Sequence, residues 1–168
     1  VLDGVKRFFA RGVAPGEIDF FSHGTTVTTN ALLEMKGATI GLLITDGFRA
    51  VQEVQTQARE TNQFELKFSR PAALVPQRLT REIVGRVDFQ GTEITPLLEE
   101  DVRHAARDLA MAGVKSFAVC YIFSFMNPAH ERRTAEIIRK EIPEAFVSLS
   151  SDVLPRIREW PRLSTTLL

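Results

Sequence analysis

Thr39-Ile40-Gly41-Leu42-Leu43-Ile44-Thr45 is an unbroken apolar and β-branched run, and Ser116-Phe117-Ala118-Val119-Cys120-Tyr121-Ile122-Phe123 is a second. A strand with one wet face alternates apolar and polar residues, whereas a strand buried on both faces, as in a parallel sheet between helices, does not. Both runs are therefore predicted to be central strands, adjacent or nearly so. They set the frame into which the rest of the chain is read.

Upstream of Thr39, the apolar positions Val1, Leu2, Val5, Phe8 and Phe9 recur at helical spacing and Gly12 follows as a stop. Ile18–Ser22 reads as a short buried strand, and Val27, Ala31, Leu32 and Met35 as a helix closed by Gly37, so that with Thr39–Thr45 they form a β-α-β unit. Downstream, Asp46–Gln77 is less regular and reads as a short helix followed by a long loop. Arg81–Ile94 alternates around Gln90-Gly91, which predicts a hairpin of Glu82–Asp88 against Glu93-Ile94. Thr95-Pro96 reads as an N-cap and first-turn proline. Leu98, Val102, Ala105, Leu109 and Ala112 would be the buried stripe of that helix, which ends at Gly113. Asn127-Pro128 opens another helix that turns Ala135, Ile138 and Ile142 inward, and Phe146–Leu149 begins a further strand. The predicted fold class is α/β, a mixed, largely parallel sheet covered by helices. In such sheets ligands sit beyond the carboxyl ends of the strands.

Composition narrows the partners. The chain has 168 residues, 44% hydrophobic and 25% charged, as in a globular protein. Its 21 basic and 21 acidic residues cancel, so there is no basic field to hold nucleic acid or anionic lipid. The longest apolar stretch, Phe117–Phe123, is far too short to span a bilayer. Cys120, the single cysteine, lies inside it and reads as a small buried hydrophobe. The chain opens on Val1 without a signal-peptide pattern and ends on Ser164-Thr165-Thr166-Leu167-Leu168 without a stop signal. It is read as a segment of a longer, cytoplasmic polypeptide.

The densest polar constellation is His23-Gly24-Thr25-Thr26-Val27-Thr28-Thr29-Asn30, where a predicted strand hands over to a helix. Gly24 would let a ligand approach the backbone, first-turn N–H groups would point outward, and the threonine hydroxyls would add donors, making an anion or carbonyl cradle. A plain N-cap role for Thr25 or Thr26 stands beside that reading. His23 suits a general acid or base, an electrophilic donor, or a buried histidine satisfied by a carbonyl. His104 lies off the apolar stripe of its helix and reads as solvated, and His130 as serving a helix start. Arg49, Arg59, Arg70 and Arg162 are candidates for clamping a carboxylate or phosphate, because a guanidinium fork suits planar anions. No side chains show metal-ligand spacing, and no nucleophile elbow, Walker loop or dinucleotide fingerprint occurs.

The stretch Phe21–Glu34 followed by Lys36-Gly37-Ala38 resembles the signature of the hydantoinase A/5-oxoprolinase family, which also contains acetone and acetophenone carboxylase subunits. Thr45-Asp46-Gly47-Phe48-Arg49, Gln57-Ala58-Arg59, Arg86-Val87-Asp88, Asn127-Pro128-Ala129-His130-Glu131, Ser148–Ser151 and Ser164-Thr165-Thr166 match in the same order. The resemblance implies an N-terminal region similar in fold to actin, Hsp70 and the sugar kinases. It also implies an enzyme that uses ATP and Mg2+ to phosphorylate the carbonyl oxygen of a cyclic amide such as hydantoin or 5-oxoproline before ring opening. In that scheme His23, Thr25 and Thr26 would be catalytic, and Gly24, Asn30, Arg49, Gln57 and Arg59 would bind substrate or phosphate. A hydantoinase B-type subunit or domain would be the partner, within an oligomer. Two alternatives remain: the β-type subunit of an ATP-dependent ketone carboxylase, and a non-catalytic scaffold domain of such a complex. The family's opening Asp-x-Gly-Gly-Thr-x-Thr-Asp phosphate loop is not in the chain, so residues 1–168 by themselves are expected to bind no nucleotide.

Overall fold

The computed structural model describes residues 2–12, 14, 16, 18, 20, 26, 29, 30, 33, 34, 37–55 and 73–168. The chain divides into two compact units, Val1–Gly37 and Ala38–Leu168. In the first, helix α1 spans Leu2–Ala10 as predicted and is followed by Gly12 at φ +93°. Thr29, Asn30 and Leu33 are helical, and backbone bonds from Asn30 N–H to the Thr26 carbonyl (2.7 Å) and from Glu34 N–H to the Asn30 carbonyl (2.9 Å) mark successive turns. Most of the predicted strand Ile18–Ser22 lies outside the described residues, as does the greater part of the predicted loop after Gln55.

The second unit is built on a four-stranded parallel sheet. In chain order its elements are β1 (Ile40–Thr45), helix α2 (Val51–Val54), a 3-10 turn at Gln77–Leu79, β2 (Thr80–Ile83), β3 (Arg86–Val87), β4 (Glu93–Thr95), α3 (Glu99–Met111), β5 (Ser116–Cys120), α4 (Ala129–Glu141), β6 (Phe146–Leu149), α5 (Ser150–Val153) and α6 (Glu159–Leu167). The strand order is β2-β1-β5-β6, with Leu42 opposite Thr80 on one side and Ala118 on the other. The two apolar runs are thus adjacent central strands. Leu42, Leu43, Phe117, Ala118 and Val119 are each at most 1% exposed, because helices cover both faces.

Gly41 permits the close approach of α3. A Cβ there would lie 2.9 Å from Leu109 Cδ1 and 3.0 Å from Val114 Cγ1, both in fully or nearly fully buried side chains. At the far end of α3, Gly113 takes φ +84°. It donates to the Ala110 carbonyl (2.9 Å) while Val114 donates to that of Leu109 (3.0 Å), a Schellman closure that turns the chain into β5.

Four expectations need correction. The hairpin is shorter than predicted: Thr80–Ile83 leaves it to pair in parallel with β1, and only Arg86–Val87 opposes Glu93–Thr95. β2 lies at the sheet's edge, where Thr80 and Ile83 are buried and the consecutive Arg81 and Glu82, on opposite faces, are half-buried. Thr95 ends β4 rather than capping α3, whose N-cap is Leu98, and Glu99, Glu100 and Asp101 supply first-turn negative charge instead. The run beginning at Ser116 stops being strand at Cys120, because Tyr121–Phe125 turn over the sheet's end. His130 does not serve the helix start. It is buried, and its Nε2 meets Glu93 Oε2 at 2.5 Å, fastening α4 to the β3–β4 ribbon. The helix start is served by Asn127, whose Oδ1 accepts the Ala129 N–H (3.0 Å) while its Nδ2 donates to the Gly91 carbonyl (2.8 Å).

Candidate functional site

The strand order reverses between β1 and β5. The chain leaves β1 toward β2 on one side and leaves β5 toward β6 on the other, so the loops at their carboxyl ends diverge and open the crevice where α/β sheets bind ligands. Three loops meet there: Asp46–Arg49 after β1, Val84–Gly85 after β2, and Tyr121–Phe125 after β5.

Beneath these loops lies a buried polar network. Glu131, on the first turn of α4 and fully buried, accepts the Tyr121 N–H (2.9 Å) and the Ser150 hydroxyl (2.6 Å) on Oε1, and the Ser151 N–H (2.8 Å) on Oε2. Ser150 Oγ also sits 3.1 Å from Ser124 Oγ. Thr45 Oγ1 accepts the Ile122 N–H (3.0 Å), locking the end of β1 to the turn after β5. Arg162, fully buried on α6, donates from Nη2 to the Tyr121 carbonyl (2.8 Å) and from Nη1 to that of Arg156 (3.1 Å), with its guanidinium over the Phe125 ring. The single carboxylate and single guanidinium thus hold the strand-end backbone in place. A buried backbone group left without a partner would cost ~1–3 kcal/mol.

Burial pushes the Cys120 thiol up, so it stays protonated and inert as predicted, with Arg162 acting against that shift and Glu131 with it. Burial likewise raises the Tyr121 hydroxyl, which shares a 3.0 Å hydrogen bond with Thr134 Oγ1.

Several predicted site residues can be placed. Arg49 turns back onto the fold: its Nη2 donates to the carbonyls of Gln77 (2.5 Å) and Thr80 (3.4 Å), and its buried Nε has no partner. Arg162 is absorbed in the network just described, and His104 is exposed beside Glu100 as expected. Thr26 and Asn30 are exposed and share one turn, with Asn30 Nδ2 3.5 Å from Thr26 Oγ1. His23, Gly24, Thr25, Gln57, Arg59 and Arg70 lie outside the described residues. Glu131, Thr45, Ser124 and Ser150 escape the sequence reading, although Glu131 sits at helical spacing from Ala135 and Ile138 on the buried stripe. No three His, Cys, Asp or Glu side chains among the described residues converge as a metal site. A cavity of about 290 Å³ opens beside the β1 loop, lined by Gly47, Phe48, Val51, Val54, Glu159 and Trp160.

Residues 1–142 match the model of the hydantoinase/oxoprolinase N-terminal region. The chain belongs to the hydantoinase/oxoprolinase family. It is 37% identical to the caprolactamase alpha subunit of Pseudomonas jessenii over 95% of its own length and 24% of that protein's. The crystal structure of that organism's ATP-dependent caprolactamase superposes with a TM-score of 0.86 at 34% identity, covering 98% of this chain and 25% of the other. The gamma subunit of acetophenone carboxylase from Aromatoleum aromaticum is 35% identical over 90% of this chain and 22% of its own. A nucleotide-free acetone carboxylase structure gives a TM-score of 0.76 at 31% identity over 82% of this chain and 21% of that one. The chain spans about a quarter of the length of these relatives. No helix among the described residues of this family member is long and apolar enough to cross a membrane.

Proposed function

We propose that this chain is part of an ATP-dependent enzyme that phosphorylates the carbonyl oxygen of a cyclic amide before water opens the ring, as in the N-methylhydantoinase and 5-oxoprolinase types. The observation that carries this reading is the extent of the likeness to an ATP-dependent caprolactamase, an enzyme named for a cyclic amide. That likeness runs over 98% of the chain at a TM-score of 0.86, against 82% and 0.76 for the acetone carboxylase. A lactam carbonyl is a poor electrophile and its nitrogen a poor leaving group. Transferring the γ-phosphoryl group to the oxygen makes an imidate phosphate whose carbon is a better electrophile; water adds there, the C–N bond breaks as the nitrogen takes a proton, and a second water releases phosphate from the resulting acyl phosphate.

In this reading His23, Thr25 and Thr26 donate to or exchange protons with the reacting oxygen. Gly24, Asn30, Arg49, Gln57 and Arg59 bind substrate or phosphate, Arg49 through the part of its guanidinium that the Gln77 and Thr80 carbonyls do not hold. A magnesium ion would be held chiefly by the nucleotide's own phosphates, as is usual for so strongly hydrated a cation. A hydantoinase B-type subunit or domain supplies the remainder of the enzyme, within an oligomer. A ketone carboxylase subunit is the second reading, favoured by the 35% identity to the acetophenone carboxylase gamma subunit.

The test is ADP release by the purified protein with its co-purifying partner. It is expected to depend on hydantoin, 5-oxoproline or caprolactam, with ring-opened product formed in equal amount. ATP consumption that instead requires a ketone and bicarbonate, and yields a carboxylated product, would replace this reading with the carboxylase one.

A further inference from the structure

Arg86 stands at the crevice between β1 and β5, and the network below does not engage it. Its guanidinium carbon lies 4.8 Å from the centroid of the Phe48 ring, in the loop after β1, and 5.9 Å from that of Phe123, in the loop after β5. Among the described residues its side chain forms no hydrogen bond or ion pair. Asp88, the acid nearest in sequence, instead accepts the N–H groups of Gln90 and Thr92 (2.8 Å each) on Oδ1, and Glu82 accepts the Gly47 N–H (3.1 Å). Arg86 is half-buried, with two aromatic rings beside its guanidinium and no protein partner among the described residues for its side-chain N–H groups.

The arrangement is held at some cost. Phe123 adopts φ +58°, a left-handed conformation that bulky residues rarely take. It is fixed there by its carbonyl, which accepts the N–H groups of Met126 (2.9 Å) and Asn127 (3.2 Å). A guanidinium packed against two rings loses rotational freedom before any ligand arrives, and its planar fork matches two oxygens of one oxyanion. Stacking on aromatic faces leaves those in-plane donors unused.

We propose that Arg86 binds a phosphoryl oxyanion at this crevice, with Phe48 and Phe123 as its positioning residues. The choice of a phosphoryl group rests on the ATP-dependent reading above. The group comes either from the nucleotide or from the phosphorylated substrate.

The experiment titrates the protein with inorganic phosphate by calorimetry, in the absence of any substrate. Wild type is expected to bind, and Arg86→Gln to weaken binding by about tenfold or more, the scale of a lost charge-assisted hydrogen-bond pair. Arg86→Lys, which keeps the charge and loses the fork, should weaken it less, and Phe48→Leu should also weaken it. Arg139→Gln, on the exposed face of α4, should leave it unchanged. Displacement of phosphate by ATP, with a raised KM for ATP in Arg86→Lys, assigns the oxyanion to the nucleotide. Lack of displacement, with a lowered kcat at unchanged KM for ATP, assigns it to the phosphorylated substrate. Equal phosphate affinity in wild type and Arg86→Gln, or no binding by wild type, overturns the proposal and leaves Arg86 a packing group. Because the titration needs no turnover, Arg86-dependent binding without cyclic-amide hydrolysis would refute only the proposed activity.

Discussion

Replacing Glu131 separates a carboxylate that organises the strand ends from one that merely fills space. It is fully buried and accepts three hydrogen bonds, two from the backbone N–H groups of Tyr121 and Ser151 and one from the Ser150 hydroxyl. In Glu131→Ala the hydroxyl can turn to Ser124 Oγ, 3.1 Å away, but the two N–H groups lose their acceptor. At ~1–3 kcal/mol per orphaned buried group the loss is about 2–6 kcal/mol, a large part of a domain's whole stability. Glu131→Gln keeps the shape and one acceptor oxygen but turns an NH2 donor toward the other N–H, so one group is orphaned and about 1–3 kcal/mol is lost. Urea unfolding followed by fluorescence of Trp160, the sole tryptophan, reads both values in the unit concerned. The midpoints should fall in the order wild type, Gln, Ala, with the slope unchanged. A glutamine variant as stable as wild type, or an alanine variant no worse than the glutamine one, would refute the reasoning.

Gly41→Ala should cost about 1–3 kcal/mol, because the new methyl would press on Leu109 and Val114, which have no room to yield; a melting curve checks this. Tyr121, the sole tyrosine, should stay neutral in the folded protein well above pH ~10, where an unfolded tyrosine ionises. The native state then holds the extra proton, so stability should fall as pH rises above ~10, and the tyrosinate absorbance should appear together with unfolding rather than before it. Under the proposed function, His23→Ala or Thr25→Val should lower kcat by about two to three orders of magnitude, with Thr25→Ser far milder. A normal kcat in Thr25→Val with a melting temperature lowered by the loss of ~1 kcal/mol would leave the threonine as a helix cap.

Burial on both faces is what made the centre of this fold legible in sequence. Nothing except a two-sided core calls for a run such as Ile40–Thr45 or Phe117–Cys120, and both landed side by side. The edge strand β2 misled because its half-exposed Arg81 and Glu82 run on into the pattern of Ile83–Asp88, and a sequence pattern does not reveal which strand is the partner. Glu131 and Arg162 were harder for a different reason. A glutamate in a helix's first turn normally complements the helix dipole in solvent, and most arginines are surface charges. Spacing was the available signal: Glu131 shares a stripe with Ala135 and Ile138, and Arg162 lies one turn before Thr166, all of them buried. Arg86 was legible only as part of a motif, since its relation to Phe48 and Phe123 depends on three loops brought together by the strand order.

That strand order also sets a timetable for synthesis. Leu42 pairs with Thr80 and with Ala118, 38 and 76 positions further along the chain. At ~5–20 residues per second, the central strand leaves the ribosome roughly 4–15 s before its last partner exists. Throughout that interval Ile40–Thr45 has at least one edge unpaired, the kind of apolar β-former that a holding chaperone recognises and that aggregates when unattended. Slower translation lengthens the exposure in proportion. The yield of folded protein should therefore depend more on chaperone supply during synthesis than its stability, once formed, would suggest.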